Sequence, residues 1–210
     1  MEFDSKIFDL KDPDTFPIPD KLAINGRFSE LLIKESLYPV KNITQVEALR
    51  FLYLMGRYGK ERKNVKQSNR VLLVTTGGLE FEHKSQLDLL QEASKLGGLK
   101  KYDKVFIKPH PFRPIENYLT TLQLSFNFTI VSEPLTDLWP IIDVAYCANS
   151  SVVSLEAAYI GIPVIIAGPS NNFNFSQSLK LSSVKHVMDP HVLCEELHNP
   201  RLIDIPEDIK

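Results

Sequence analysis

The chain is poor in cysteine. Of its 210 residues only Cys147 and Cys194 carry thiols, far apart and outside any CxxC spacing. That excludes a disulfide scaffold and a cysteine-rich zinc module, and makes a reduced, cytoplasmic setting the simplest expectation. Charge of one sign is lacking too: 24 Lys and Arg stand against 26 Asp and Glu, a formal net charge of -2. No global field therefore draws this protein to nucleic acid. No apolar run approaches the roughly 20 residues that span a bilayer. The opening MEFDSKIFDLKDPD is acidic, without a basic start or an apolar middle, so it does not read as a signal peptide. Internal repeats and low-complexity segments are missing as well. What is there, 43% hydrophobic and 24% charged residues, is ordinary for a globular protein, long enough for one good domain and short for two.

Along the chain the pattern changes once. Residues 1–20 are rich in Asp and Pro and read as an extended lead-in. Residues 21–69 read as a strand closed by Asn25-Gly26, a helix over 43–55 capped by Thr44, and a basic polar linker over 59–70. From Val71 the strands become continuous apolar runs: VLLVT, VFIKPH, FTIVS, DVAYCANS and PVIIAG. Helix-period segments alternate with them, near 80–96, 115–124, 135–142 and 150–160, with a last one near 190–198. Such alternation predicts an α/β fold, a Rossmann-like doubly wound parallel sheet over 70–199, followed by a loose tail at 200–210.

In a sheet of this kind ligands bind outside the carboxyl ends of the strands. Those ends carry Thr75-Thr76-Gly77-Gly78, Lys108-Pro109-His110-Pro111, Asn149-Ser150-Ser151 and Gly168-Pro169-Ser170-Asn171-Asn172. All are small, hydroxylic, amide-bearing or basic, the composition of an anion site. Asn149-Ser150-Ser151 opens the 150–160 helix directly after a strand, so unpaired N–H groups and the helix dipole would face a phosphate there. Ordinary N-capping accounts for the same residues. Glu156 is the sole charge on that apolar helix, and a ribose diol or a basic side chain would each satisfy it. His110, stiffened between Pro109 and Pro111, is either a structural strand terminus or a donor to a departing phosphate. Lys108 reads as a rim charge. The Thr75–Gly78 run matches neither a dinucleotide fingerprint nor a P-loop, yet glycines let backbone approach a phosphate. His191, Cys194 and His198, with His186 nearby, share a helix face but lack a strong zinc spacing. Cys147 reads as core filler.

KPHP at 108–111, SEPLTDLWPIIDVAYCANSS at 132–151 and SSVVSLEAAYIGIPVII at 150–166 resemble the C-terminal half of GT-B glycosyltransferases. The likeness is nearest to bacterial surface-carbohydrate enzymes of the sialyl-, Kdo- and polyol-phosphate transferase kinds. It covers residues 70–170, and more loosely 21–55 as the end of a preceding domain.

The resemblance implies a donor-nucleotide-binding domain, inverting and metal-independent, for a CMP- or CDP-type donor in capsule or lipopolysaccharide synthesis. His110-Pro111 and Ser150-Ser151 would hold the donor phosphate, with His110 as catalytic residue. Thr76, Gly77, Gly78, Lys108 and Asn149 would complete that site, and Glu156 would meet the ribose. No cofactor or metal is implied beyond the nucleotide-activated sugar itself. The resemblance also implies an N-terminal GT-B domain or partner chain, which in that family binds acceptor and usually supplies the base. It allows peripheral association of the complete enzyme with the inner face of a membrane. Two alternatives remain open: a UDP-sugar 2-epimerase-like domain, and a non-catalytic interaction module.

Overall fold

The computed structural model describes residues 18–25, 29–30, 33–34, 41–46, 49–58, 70–115, 118–119, 124–168 and 185–202. Residues 1–53 with 205–210 make one compact unit, and residues 54–204 make a second. In the first unit, β1 (Leu22–Asn25) pairs in parallel with β2 (Ile43–Val46), Leu22 opposite Ile43. The helix expected over 43–55 is thus displaced. Its first four residues are a strand, in keeping with β-branched Ile43, Thr44 and Val46, and α1 runs instead over Leu49–Tyr58. Thr44 sits in β2 and caps nothing. Gly26, the basic run 59–69, the lead-in 1–17 and the tail 203–210 lie outside the described residues.

The second unit is a doubly wound α/β domain of the Rossmann kind. Its strands are β3 (Val71–Thr75), β4 (Lys104–Lys108), β5 (Thr129–Ile130), β6 (Val144–Cys147), β7 (Val164–Ala167) and β8 (His186–Val187). They lie in the order β5-β4-β3-β6-β7-β8, every neighbouring pair parallel. The chain winds outward from β3 to β5, then returns to the other side of β3 at β6. The order therefore reverses between β3 and β6, the place where such sheets form a crevice. β8 has two residues and gave no apolar run to read.

Alternate side chains of the strands supply the two faces. Leu72, Val74, Val105, Ile107, Val144, Tyr146, Ile165 and Val187 share one core with Leu87, Leu90 and Ala93 of α2 (Glu80–Lys95) and Leu193 and Leu197 of the last helix. Fully burying one such aliphatic side chain is worth about 1.5–3 kcal/mol. After β5 come α3 (Leu135–Leu138) and a 3-10 turn (Trp139–Ile141), broken where Pro140 predicts. α4 covers Val153–Tyr159 and α5 Pro190–His198. Asp189 caps α5 by accepting from the His191 and Val192 N–H groups. At the amino ends of the strands, the Asp143 carboxylate accepts from the Val71 N–H at 2.7 Å, joining β3 to the entry of β6.

α4 begins three residues later than expected. Ser151 N–H donates to the Ala148 carbonyl at 3.1 Å, closing a turn over Ala148–Ser151 before the helix starts. Ser151 Oγ then accepts from Val153 N–H at 3.3 Å, and its carbonyl accepts from Ser154 Oγ. The serine pair lies in this lead-in turn, where hydroxyls compete well with helical hydrogen bonding. Of the helix expected over 115–124, Tyr118 and Leu119 are described and helical. Residues 169–184, with Pro169, Ser170, Asn171 and Asn172, lie outside the described residues.

Candidate functional site

Three adjacent strands, β4, β3 and β6, deliver their carboxyl ends to one rim. The segment after β4 explains its two prolines. His110 N–H, the one backbone donor left in Pro109-His110-Pro111, is taken by Thr76 Oγ1 at 3.0 Å. Thr76 N–H in turn donates to the Lys108 carbonyl at 3.2 Å, so the ends of β3 and β4 are laced together. Arg113 N–H closes back on the His110 carbonyl at 2.9 Å, making a tight turn with Pro111 at the position whose φ proline pre-sets. Phe112 N–H donates to His110 Nδ1 at 3.3 Å. An acceptor Nδ1 assigns the neutral ring's proton to Nε2. That Nε2–H lies over Gly78, where an added Cβ would stand 3.4 Å from Nε2 and Cε1. The imidazole is therefore fixed by backbone on one nitrogen, and among the described residues the other is free to donate.

The other predicted residues divide. Lys108 turns away: its Nζ donates to the Ser132 carbonyl at 3.3 Å and the Glu133 carbonyl at 2.6 Å. Burial lowers its pKa, partly opposed by Glu133. Thr76 is buried and serves to hold His110. Glu156 is 2% exposed, on α4 beneath the rim. Asn149 is also buried, and neither its amide oxygen nor its nitrogen has a hydrogen-bond partner among the described residues. Unmatched buried amides are rare in folded proteins and mark places where a ligand or water completes the bonding. Cys147 is wholly buried, and desolvation pushes its thiol up to about 12, with a Thr75 hydrogen bond opposing and Glu156 adding. The α5 residues serve packing: His198 Nε2 lies 3.0 Å from the Gly97 carbonyl and Cys194 Sγ 3.7 Å from that of Leu96.

Sequence reasoning missed the polar face of α2. Gln86 is fully buried and its Nε2 donates to the Thr75 carbonyl at 3.1 Å and the Tyr146 carbonyl at 3.3 Å. It bolts α2 across β3 and β6 directly below the crevice. Glu82, one turn earlier, is 5% exposed and accepts from Ser150 Oγ at 2.5 Å. A Cβ on Gly77 would collide with that carboxylate and stand 3.1 Å from the Ala148 Cβ. Gly77 is thus needed for close approach of three elements. The signal was present in the sequence: Glu82, His83 and Gln86 recur with Leu87 and Leu90 on the helix face that packs on the sheet. A separate groove of about 460 Å³ runs between α2 and the ends of β7 and β8, past Asp88, Glu92, Gly168 and Met188. Neither His110 nor Ser150 lines it.

No protein-family model matches the chain, and no curated protein sequence matches it. Solved structures do. The wall teichoic acid polymerase TagF aligns over 86% of this chain and 49% of its own, with 15% identity and a TM-score of 0.53. TarM aligns over 85% and 36%, with 11% identity and a TM-score of 0.51. The pneumococcal O-GlcNAc transferase GtfA, in complex with UDP and GlcNAc, aligns over 85% and 37%, with 13% identity and a TM-score of 0.50. These neighbours are GT-B glycosyltransferases. The likeness is one of fold. This chain spans less than half the length of each neighbour.

Proposed function

We propose that this chain is a donor-nucleotide-binding domain of a GT-B glycosyltransferase in bacterial surface-polysaccharide assembly, inverting and metal-independent, with a CMP- or CDP-type donor. The observation that carries the reading is His110. Its backbone is held by Thr76, its Nδ1 by Phe112 N–H, and its Nε2–H is left over Gly78 at the rim. An imidazole so oriented donates a hydrogen bond from Nε2 to a phosphate oxygen and stabilises the negative charge that builds there as the sugar–phosphate bond breaks, keeping its own proton. Ser151 and the backbone of Gly77 and Gly78 lie on the same rim and supply further donors. The surface-glycan neighbours support the class of reaction.

In this reading the bond from the anomeric carbon to the donor phosphate breaks while an acceptor hydroxyl attacks from the opposite face. The acceptor and the base that takes its proton belong to a second domain or partner chain, with which the complete enzyme works at the inner face of the membrane. Lys108 keeps β5 and its following loop in place, and Glu156 supports the rim from below.

The test is calorimetric titration of CMP, CDP and UDP into the wild-type chain and His110→Ala. Binding of a cytidine nucleotide by wild type, weakened about tenfold or more by the substitution, is expected; equal heats from both proteins would remove His110 from the site. Preference for UDP would move the reading toward the epimerase-like alternative, and indifference to all three toward an interaction module.

A further inference from the structure

Where the strand order reverses, between β3 and β6, a doubly wound sheet opens a crevice for its ligand. Here a side chain of this protein stands in it. Glu82 comes from the first turn of α2, 5% exposed, with Oε2 on Ser150 Oγ at 2.5 Å and in the space that a Cβ on Gly77 would need. Its Oε1 is buried and has no hydrogen-bond partner among the described residues. The neighbouring Asn149 amide, 4% exposed, is unpartnered on both of its polar atoms. Two unmatched polar groups beside one committed hydroxyl indicate a binding place that is occupied only in part.

We infer that Glu82 is an internal anion that competes with the ligand's phosphate for Ser150 and so sets the affinity and selectivity of the site. The chemistry follows from one proton. A serine hydroxyl has a single hydrogen to donate, and Ser150 gives its hydrogen to Glu82. While it does, Ser150 presents only lone pairs to a ligand, which a phosphate oxygen cannot use. A phosphate brought to the same hydroxyl also meets a carboxylate in a poorly screened setting, where like charges repel more strongly than in water. The repulsion grows with the ligand's charge, so a terminal dianionic phosphate is penalised more than a phosphodiester carrying one charge. The site is thereby biased toward intact nucleotide-linked donors over the free nucleotide product, a case of selectivity by repulsion. This inference rests on the donor-binding reading above.

The experiment measures CDP and UDP affinity by calorimetry for wild type, Glu82→Gln, Glu82→Ala and the double variant Glu82→Gln with Ser150→Ala. Circular dichroism melts check that each is folded, and the two single variants guard against failure of either one. Both single variants are expected to bind about tenfold more tightly than wild type, a gain of about 1.4 kcal/mol, and the double variant is expected to lose that gain. Equal affinity in wild type and both single variants overturns the competition while leaving the donor site standing. Weaker binding in both overturns it too, since Glu82 would then be a ligand-binding group. A gain that survives removal of the Ser150 hydroxyl overturns the role of that hydroxyl. No binding by any of the four proteins overturns this inference together with the donor-binding reading.

Discussion

At the scale of single residues, the chain separates a polar ring held at the strand-end rim from a thiol sealed in the core. His110 is the former. Two prolines that remove N–H groups leave its own N–H as the local donor, and Thr76 takes it. Cys147 is the latter, for although it ends β6 close to the rim, it is wholly buried and its thiol is pushed up to about 12, chiefly by desolvation. Thiolate is the reactive species, and reaction also needs access. Native protein treated with an aromatic disulfide reagent at pH 8 should therefore release one equivalent, from half-buried Cys194, and a second only on denaturation. Two equivalents from the native chain would show that Cys147 is open to solvent, contrary to the packing of β6.

At the scale of elements, strands were easier to read than helix ends. The buried strands β3, β4, β6 and β7 announce themselves because parallel strands covered on both faces are uninterrupted apolar runs. The two-residue β8 has no such run, and β2 was hidden because Val46, Leu49 and Tyr53 imitate a helical period across a strand–helix junction. The close of α4 falls at Gly161-Ile162-Pro163. Gly161 N–H donates to the Ala158 carbonyl at 3.0 Å and Ile162 N–H to that of Ala157 at 2.9 Å, with Gly161 at φ +77°. This is a Schellman-type ending, in which a left-handed residue satisfies the last helical carbonyls. Among the described residues nothing lies within 4 Å of an added Cβ at Gly161, so the backbone makes the demand. Gly161→Ala should cost about 1–2 kcal/mol of stability, measured by urea unfolding. No loss would mean that the turn relaxes out of the left-handed region.

At the scale of the whole molecule, composition and strand pattern made the sheet legible, and its order placed the rim. The geometry of the candidate site was legible only in part, because a parallel sheet brings strand ends together predictably while the helix that follows each strand sets its own rotation. His110 and Ser150 could be expected on one rim from strand order, but Glu82 reaches Ser150 across 68 residues, a pairing that no local pattern encodes. The same burial that hides α2's polar face has a consequence for the folded state as a whole. His83 on α2 and His186 on β8 are both held below the usual 6.5 by desolvation; for His83, Glu80 and Glu82 oppose the shift and Arg113 adds to it. Each folded-state pKa is lower than the unfolded one, so above pH 6.5 both states carry neutral rings and no penalty arises. As pH falls through 6.5 toward the lower folded values, the unfolded chain binds protons that the folded chain refuses, and stability declines. Thermal melts from pH 8 to pH 5.5 should show a flat upper region, then a falling midpoint. Replacing both residues, His83→Gln with His186→Gln, should flatten the fall, whereas an unchanged slope would assign it to other groups. Because the two rings lie on different elements of one sheet-centred domain, their single variants should each remove part of the slope, and the parts should add.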